Sequence, residues 1–578
     1  MQQPLEFYIA EKKRFEKEQK IVKKQLALSS SLRLLVFLMA VAGIYIFFGN
    51  VKIMIYIVAI AVILFIYLLT KHSKLQYKSD LNKALLEINN TEIKVLNRDY
   101  FSLNSGNEFT NPAHPFSYDI DLFGKGSFFQ YANRTVTNEG KLNFVDLLTN
   151  NDILNIPEKQ QGIQELRKKP KWRQRFSALA SLVKVEHPAK EIINWITNYK
   201  SVFPKFISFL PTLFSIISLV LIGLIAMQII ADLFLLFWIF IGMGISGSYS
   251  KKVNDVYKDA SDTKDTFKQY YKLLHEIETA SFESQILKEK QQLIQTESQK
   301  ASVVFSKFSK ILDAFDQRNN LIIGSFGNIF LLRDMRQVHN VEKWIDSYKT
   351  KVEDWINVIA FFDAQNSLAN FAFNHPNYVF PEITQDKNVI AAQNLGHPLL
   401  KVLQRVDNDF TIENQQFFIV TGANMAGKST FLRTVSLSIV MANMGLPVCA
   451  SAFNYAPIKL ITSMRTSDSL TVYESYFFSE LKRLKFIVDV IKNEDYFIIL
   501  DEILKGTNST DKAIGSKKFV QKLVSSKSTG IIATHDLSLC EIEKEMPEIQ
   551  NYYFDAEIID DELFFDYKLK EGICKNMN

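Results

Sequence analysis

The stretch that decides the fold is FFIVTGANMAGKST, residues 417–430. It contains the pattern G-x-x-x-x-G-K-S, which runs from Gly422 to Ser429, after a short apolar run and before the helical segment FLRTVSLSIVMANM. A glycine-rich turn between a strand and a helix lets backbone N–H groups close around the phosphates of a nucleotide. An isolated match of this kind can be a chance turn, but the flanking strand and helix favour a phosphate-binding loop.

The residues of this loop have separate expected roles. Lys428 should reach the β- and γ-phosphates of ATP, and the Ser429 hydroxyl should hold Mg²⁺. ATP and Mg²⁺ are therefore the expected cofactors. The predicted nucleotide-binding residues are Gly422, Ala423, Asn424, Met425, Ala426, Gly427, Lys428, Ser429 and Thr430.

Two further apolar runs end in residues that suit nucleotide hydrolysis. The run YFIILDEI contains Asp501, a predicted Mg²⁺ ligand together with Ser429, and Glu502, which is placed to activate the attacking water. The run GIIAT leads to His535, which can contact the γ-phosphate or orient the water. A single histidine is more often structural, and only its place in this series favours a catalytic role. The predicted catalytic residues are Glu502, His535 and Lys428.

Composition sets limits on the whole chain. Its 578 residues predict about three to four domains, and a hydrophobic fraction of 47% excludes a disordered protein. Lys and Arg total 67 against 62 Asp and Glu, so the net charge of +5 makes no case for a nucleic-acid partner. The three cysteines form no CxxC pair, so neither a disulfide framework nor a zinc site is expected.

Four uncharged apolar segments stand out from this average. Residues 34–51 and 53–70 form one pair, and residues 206–231 and 233–250 form another. A helix of 18 residues, the length of the shortest segments, reaches roughly 27 Å and just spans the hydrocarbon core of a bilayer. We predict four transmembrane helices in two tight hairpins, with buried soluble helices as the alternative.

The charges around these segments predict their orientation. Eight Lys and Arg residues precede the first segment and further lysines follow the second and fourth, whereas the two hairpin tips carry only Lys52 and Asp232. Basic residues collect on the cytoplasmic side of membrane helices. We therefore expect a multi-pass protein of the plasma or inner membrane, with both termini, the large loops and the ATPase domain in the cytoplasm.

The predicted fold class is an α/β C-terminal P-loop ATPase domain of the ABC type, joined to a mostly α-helical core and lever region with four transmembrane helices. The N-terminal segment should form an amphipathic helix that lies on the membrane or packs on the body. Residues 251–320 carry 12 basic and 11 acidic residues without Pro or Gly, which predicts a long helical arm with solvated faces. The predicted divisions are residues 1–33 for the N-terminal segment, 34–70 for the first hairpin, 71–205 for the core, 206–250 for the second hairpin, 251–373 for the lever arm and 374–578 for the ATPase domain.

Several motifs together resemble the MutS family of DNA mismatch repair ATPases. The loop TGANMAGKST, with Asn424 and Met425 inside it, is more similar to this family than to a generic phosphate-binding loop. Later motifs that also resemble the family are SYFFSE (475–480), DEILKGTNSTDKA (501–513), ATHD (533–536) and the terminal YKLKEG (567–572). Upstream, SYDIDLFGKGSFFQYANRTVTNEGK (117–141) resembles the start of the family's core domain, and ANFAFNHPNYVFPEI (369–383) resembles the return of its lever into the ATPase.

The resemblance implies a homodimer formed through the ATPase domains, which would sandwich two nucleotides. In this arrangement each chain offers Ser475, the trans signature residue, to the γ-phosphate bound by its partner. The resemblance also implies a connection with mismatch repair and mismatched DNA binding, so DNA is a possible partner, in addition to the membrane bilayer.

The sequence departs from the family pattern in several ways. Only 33 residues precede the first apolar segment, so we expect no mismatch-reading domain there and assign no Phe-x-Glu wedge. The arm after Lys251 is short and charge-balanced, so no DNA clamp is expected, and the two membrane hairpins have no counterpart in the family. The family's C-terminal helices are expected to be missing after YKLKEG, and Lys512 stands where the family commonly has Gly.

The sequence leaves three functions open. The first is a membrane-anchored MutS-like ATPase that couples ATP hydrolysis to conformational change on DNA. The second is an ATP-driven membrane scaffold or mechanical protein that does not bind DNA. The third is an ABC-type transporter, which is disfavoured because the signature is SYFFSE and not LSGGQ, and because the apolar spans contain no charged residue to line a path.

Overall fold

The computed structural model describes residues 2–182, 188–295, 299–465, 476–505, 508–559 and 562–574. Helices dominate the chain up to Asn374, and β-sheets follow. The helices of this first part are α1 (Gln2–Ile46), α2 (Val51–Leu96), α3 (Phe128–Ala132), α4 (Asn138–Thr149), α5 (Ile156–Arg167), α6 (Pro170–Ser181), α7 (Ala189–Asn198), α8 (Leu210–Ala226), α9 (Leu233–Thr279), α10 (Gln285–Gln292), α11 (Ala301–Asp316), α12 (Leu321–Leu331), α13 (Arg333–Tyr348) and α14 (Val352–Asn374).

The first two helices form a long antiparallel pair that is joined by the turn at residues 47–50. In the half away from the turn, α1 packs on the body of the protein. Tyr8, Phe15 and Val22, spaced seven residues apart along one face, are buried. The Tyr8 hydroxyl donates a hydrogen bond to the side chain of Asn374, at 2.8 Å. Of the two alternatives for the N-terminal segment, the structure therefore has the one that packs on the body.

Four helices are long and apolar enough to cross a membrane, judged by length and composition. They occupy residues Gln3–Ile46, Val51–Leu96, Ile207–Ala226 and Leu233–Thr279 and contain most of the four apolar segments, while residues 47–50 of the first segment form the turn between α1 and α2. At most 22% of the most apolar window of any of them is buried inside the protein. Buried soluble helices would bury most of this surface, so the exposure does not fit that alternative.

The region expected to be a long arm instead folds back on itself. α9 continues from the last apolar segment to Thr279, and α11 and α13 pack against it. The ring of Phe267 in α9 lies 4.8 Å from Phe305 and 4.7 Å from Phe308, measured between centroids, and Phe308 stacks on Trp344 of α13 at 3.9 Å. The expectation of a long arm with solvated faces was wrong, because these aromatic residues share a core and most of the charged residues, though not Glu276 and Glu278, lie on the outside of a bundle.

Sequence reasoning also missed a short apolar helix, α12, which packs on α8 and α9. At Gly242 of α9 an added Cβ would collide with the backbone carbonyl of Ile329, so the two helices approach each other closely. On its outer side α12 exposes Ile322 and Phe326. The apolar surface of the second hairpin therefore continues onto α12.

The C-terminal part contains the helices α15 (Lys428–Asn443), α16 (Tyr476–Val490) and α17 (Ser509–Ser525). Its strands are β1 (Glu382–Ile383), β2 (Asn388–Leu395), β3 (Asn408–Glu413), β4 (Phe417–Gly422), β5 (Ala452–Tyr455), β6 (Lys459–Ser463), β7 (Tyr496–Asp501), β8 (Thr529–Ala533), β9 (Ile549–Phe554), β10 (Glu557–Ile559), β11 (Glu562–Phe564) and β12 (Leu569–Glu571).

The larger sheet has the strand order β12-β9-β4-β8-β7-β6. All neighbouring strands in it are parallel except β12, which pairs with β9 in the antiparallel sense. Such a sheet is stable only with both faces covered, and its central strands β4 and β8 are buried throughout. The strands expected before the loop, before Asp501 and before His535 correspond to β4, β7 and β8. Their carboxyl ends meet at one edge of the sheet.

The helical core and the ATPase part share one hydrophobic core, which runs from Val95 to Phe554. A second cluster covers the other face of the larger sheet. Hydrogen bonds fix the junction: the side chain of Asn151 exchanges two bonds of 2.9 Å with the backbone of Leu460 in β6. The helical part is therefore packed directly on the sheet that carries the predicted site.

Candidate nucleotide site

The phosphate-binding loop joins the central strand β4 to α15. Gly422 has a φ of 147° and Gly427 a φ of 108°, in the region that favours glycine. An added Cβ at Gly422 would lie 2.6 Å from the carbonyl oxygen of Phe554, so the chain needs glycine for this approach as well. Met425, in the middle of the loop, is exposed. The loop thus directs the N-terminus of α15, with the positive end of its dipole, toward the cavity described below.

The Lys428 ammonium is held inside the loop. Its Nζ donates to the carbonyl oxygens of Gly422 and Ala423, at 2.8 and 2.9 Å. Burial lowers the pKa of Lys428, while the charges of Asp501 and Glu502 oppose that shift. The loop therefore concentrates positive charge where phosphate oxygens would arrive.

Ser429 and Asp501 meet at the next position along the sheet edge. The Ser429 hydroxyl donates to Oδ2 of Asp501, at 2.6 Å, although 72 residues separate the two in the chain. A hydroxyl and a carboxylate side by side are oxygen ligands of the kind that Mg²⁺ uses in nucleotide sites, together with phosphate oxygens and water. The residues present therefore fit a magnesium ion.

Glu502 and His535 form the third pair of the site. Nε2 of His535 lies 2.7 Å from Oε1 of Glu502 and 3.4 Å from Nζ of Lys428. Glu502 has a φ of 51°, in the left-handed region, and its N–H donates to the carbonyl of Ala533 at the end of β8. Burial and the neighbouring Lys428 lower the pKa of His535. The imidazole of His535 thus orients the Glu502 carboxylate beside the loop.

One cavity of about 600 Å³ connects these groups, which is within the usual range of roughly 300–1,000 Å³ for ligand pockets. Among the predicted residues, those that line it are Asn424, Met425, Gly427, Lys428, Ser429, Thr430, Asp501, Glu502 and His535. Gly422, Ala423 and Ala426 shape the loop behind this lining, with Ala426 fully buried. The structure therefore brings together all the predicted loop and catalytic residues that it describes.

The rest of the lining comes from segments that were not assigned a role in the site. Tyr567 lies so close to the loop that an added Cβ at Gly427 would be 3.1 Å from its ring. Asn408 fixes this position, because its side chain donates to the Tyr567 carbonyl at 3.0 Å and accepts from the Leu569 N–H at 2.8 Å. Further lining residues include Leu400, Phe431 and Lys505. The signal in the sequence for this wall was the family resemblance of YKLKEG, which contains Tyr567.

The predicted trans residue Ser475 lies outside the described residues. The signature motif continues into α16, where Glu480 is buried. Its carboxylate accepts hydrogen bonds from the backbone N–H groups of Leu504 and Lys505, at 2.6 and 3.0 Å. Within one chain, the signature helix therefore holds the turn that follows Glu502.

The helical core holds the other side of the signature segment. Asp119, only 4% exposed, accepts hydrogen bonds from the Thr462 hydroxyl and from the N–H groups of Met464 and Arg465, at 2.5, 3.1 and 3.0 Å. The guanidinium of Arg483 in α16 donates to the Pro115 carbonyl at 2.5 Å. The loop of the helical core at residues 115–119 thus contacts the chain just before and just after the segment that contains Ser475.

A parallel sheet with a phosphate-binding loop at its centre and carboxylates at the ends of neighbouring strands defines a P-loop nucleotide-binding domain. Residues 418–578 match the family model described as MutS domain V. Residues 418–578 therefore form a domain of the MutS type.

Curated relatives agree with this assignment over part of the chain. The chain is 31% identical over 214 residues to the MutS protein homolog 4 of Homo sapiens, which covers 35% of this chain and 22% of that protein. It is 27% identical over 269 residues to the DNA mismatch repair protein MutS of Staphylococcus haemolyticus, with coverage of 45% and 30%. The corresponding protein of Clostridium perfringens is 31% identical over 257 residues, with coverage of 42% and 27%. The chain therefore spans less than a third of the length of these relatives.

Proposed function

We propose that this protein is a membrane-anchored ATPase that binds ATP with Mg²⁺ and uses its hydrolysis to change conformation. The observation that carries the proposal is the convergence of Lys428, the Ser429–Asp501 pair and the Glu502–His535 pair on one cavity. These are the parts that phosphoryl transfer needs: a cation, a metal site and a base. The match of residues 418–578 to MutS domain V and the similarity to proteins named DNA mismatch repair protein MutS support the proposal.

Each group has a distinct task in this mechanism. Lys428 and the N-terminus of α15 bind the phosphates and offset their negative charge. Mg²⁺ bound at Ser429 and Asp501 would supply further positive charge to the phosphate oxygens. Glu502 accepts the proton of the attacking water, and His535 holds the Glu502 carboxylate toward that water by its 2.7 Å contact.

The dimer is part of the proposal. Ser475 of one chain would complete the nucleotide site of the other, as the family resemblance implies. Two contacts support a link between the signature segment and the rest of the chain. Glu480 joins α16 to the turn after Glu502, and Asp119 joins the chain before the signature segment to the helical core. Closure of two ATPase domains on ATP would then move the core together with the signature segment.

Membrane anchoring is supported by the four long apolar helices and by their exposed surfaces. The basic residues that flank them support a cytoplasmic location of the termini and the ATPase domain by the positive-inside rule. Since α2 and α9 run without a break from the apolar segments into the helical core, movement of the core would reach the membrane directly.

The test of the ATPase is Glu502→Gln. The amide cannot accept the proton of the attacking water, so we expect turnover to fall by about 10²–10⁴-fold while ATP binding is retained. Glu494→Gln is the matched control, because Glu494 is a half-exposed carboxylate that pairs with Lys459 away from the cavity. Steady-state phosphate release and binding of a fluorescent ATP analogue measure the two properties. If Glu502→Gln hydrolyses ATP at the wild-type rate, Glu502 is not the general base.

The conformational change has two candidate roles, action on DNA and the organisation of a membrane scaffold. Action on DNA is favoured by the mismatch-repair names of the relatives, and a membrane scaffold that does not bind DNA is favoured by the balanced charge of the chain. Binding of the detergent-solubilised protein to duplex, mismatched and branched DNA, with and without ATP, separates them. Contacts with DNA phosphates predict an affinity for DNA that falls steeply with salt concentration. If the protein does not bind DNA at low salt, the scaffold function is favoured.

A further inference from the structure

A second polar cavity, of about 250 Å³, lies away from the nucleotide site. It is enclosed by α2, α6 and α14 together with the segment before α4. Its lining is Ala84, Glu87, Ile88, Thr91, Glu92, Arg134, Val136, Arg173, Gln174, Ser177, Ser181, Asn366 and Asn370. The proposed ATPase mechanism uses none of these residues.

Arg173 is the most unusual member of this lining, because only 3% of it is exposed and it forms no ion pair within the described residues. Its Nε donates to the Leu166 carbonyl at 3.0 Å, and its Nη1 donates to Oδ1 of Asn370 at 2.8 Å. No partner for Nη2 is found in the part of the chain that the structure describes. The charge of Glu92 acts on Arg173, but a buried guanidinium that has no direct ion pair and an unsatisfied Nη2 is unfavourable, so this site favours an anion.

The nearest buried carboxylate already has its own partners. Oε1 of Glu92 accepts from Nε of Arg134 at 2.6 Å, and Oε2 accepts from the side chain of Asn374 at 2.7 Å. Glu87 is exposed at the edge of the cavity. Two buried or half-buried arginines therefore face one buried carboxylate, which leaves an excess of positive charge inside.

Asn366 adds a second feature that points to a ligand. It is 4% exposed, and both its Oδ1 and its Nδ2 have no partner among the described residues. Thr91, Ser177 and Ser181 contribute hydroxyl groups to the same lining. Amide and hydroxyl donors beside an arginine fork are the groups that recognise the oxygens of carboxylates and phosphates.

We propose that this cavity binds a small oxyanion, a carboxylate or a phosphate, with its charge on Arg173 and its oxygens on Asn366 and the hydroxyl groups. The volume admits a small anion and is less than half that of the nucleotide cavity. The anion would join α2, which continues from the first apolar hairpin, to α14, which leads into the ATPase domain. It would thereby set how firmly the membrane helix is attached to the helix that enters the ATPase.

The test uses the full-length protein in detergent. Lys428→Ala serves as the background, because the phosphate-binding loop would otherwise bind the same probes. In this background we expect sodium succinate or sodium phosphate to raise the thermal unfolding midpoint above that in sodium chloride of equal ionic strength. The two salts separate a carboxylate ligand from a phosphate ligand.

Variants of the lining then locate the effect. Arg173→Gln should lower the affinity for the anion by at least about tenfold, as expected for loss of a hydrogen bond to a charged group. Calorimetric titration measures this affinity. Arg175→Gln, on the same helix, is the matched control, since its side chain is 57% exposed and pairs with Glu276 on the other side, and it should keep the effect.

Asn370→Asp provides a second test that does not remove the arginine. It keeps the shape of the side chain and places a carboxylate 2.8 Å from Nη1 of Arg173, so the protein supplies its own anion and the effect of added anion should disappear. If Arg173→Gln does not fold, this variant decides. Equal midpoints in chloride, succinate and phosphate, or anion effects that persist in Asn370→Asp, would overturn the proposal and leave a cavity filled by water only.

Discussion

At the scale of single residues, the candidate site depends on pairs in which one member positions the other. Glu502 adopts a left-handed backbone, which costs a non-glycine residue roughly 1–2 kcal/mol, and its N–H is bound to the Ala533 carbonyl. This conformation places its carboxylate against His535, which follows the neighbouring strand. The strain is consistent with a functional constraint, because neither strand needs this conformation in order to pair.

The charge state of His535 leads to a prediction about pH. Burial and Lys428 lower the pKa of the ring below its ordinary value of about 6.5, so His535 takes up its proton at a lower pH than a free imidazole does. We expect kcat for ATP hydrolysis to fall on the acid side with a midpoint below pH 6.5. A kcat profile at saturating ATP measures this.

His535→Asn serves as the comparison for that profile. Asparagine keeps an N–H donor for Glu502 but does not titrate in this range, so its activity should be lower and its acid limb should move to lower pH. A wild-type limb centred at or above pH 6.5 would contradict the lowered pKa of His535.

Glu480 gives a second prediction at this scale. In Glu480→Gln one carboxylate oxygen becomes an NH₂ group that meets a backbone N–H, so one buried hydrogen bond to Leu504 or Lys505 is lost, at about 1–3 kcal/mol. We expect kcat to fall about tenfold, because the turn after Glu502 loosens, and nucleotide affinity to change little, because Glu480 does not line the cavity. Single-turnover hydrolysis and nucleotide titration measure these effects. A variant that weakens nucleotide binding as much as turnover would contradict this positioning role.

The sequence predicted the loop and the pairs of the site because they follow consecutive strands of one sheet. The spacing of G-x-x-x-x-G-K-S and the acids Asp501 and Glu502 at the end of an apolar run are enough to predict where these side chains lie on the sheet edge. The wall formed by Leu400 and Tyr567 could not be predicted in the same way, since these residues reach the loop only through the packing of distant segments. Asn408 in β3 holds Tyr567 in this wall through its hydrogen bonds to the backbone of Tyr567 and Leu569.

At the scale of elements, periodicity predicted helices correctly but not how far each one extends or what it packs against. α2 and α9 each continue from an apolar segment into a charged one without a break, because neither boundary carries a Pro or a cap. The folding of α11 and α13 onto α9 depends on pairs such as Phe308 and Trp344, which are far apart in sequence. Charge balance alone therefore could not distinguish an extended arm from a bundle.

The short helix α12 carries the prediction at this scale. Ile322 and Phe326 are exposed, and α12 packs on the apolar helices of the second hairpin, so we expect it to lie in the membrane interface. An environment-sensitive dye attached at Phe326→Cys should show blue-shifted emission and quenching by brominated lipids in proteoliposomes. The native cysteines Cys449, Cys540 and Cys574 are buried and should react slowly.

Leu403→Cys is the matched control for this label. Leu403 is fully exposed on the ATPase part of the chain and should remain in water. Equal emission and equal quenching at the two positions would show that α12 lies outside the membrane interface.

At the scale of the whole molecule, three connections join the nucleotide site to the apolar helices. The loop that contains Asp119 holds the chain before the signature segment, and α14 leads from the helical bundle into the four-stranded sheet of order β1-β5-β2-β3. At the start of the chain, Tyr8 of α1 is bonded to Asn374 at the end of α14. A movement of the ATPase domain must therefore be shared by the helical core and by the helices α1 and α2, unless one of these contacts breaks.

The orientation of these helices follows from charge and can be tested directly. The basic residues lie at the core side of both apolar pairs, while the tips near Asn50 and Gln228 are almost uncharged, so the tips should face away from the cytoplasm. A membrane-impermeant maleimide should label Asn50→Cys and Gln228→Cys in right-side-out vesicles, and Leu403→Cys only in inside-out vesicles. ATP hydrolysis should likewise appear only when the inside-out face is supplied with ATP. Labelling of all three positions from the same side would contradict spanning hairpins and would place both apolar pairs on one surface of the bilayer.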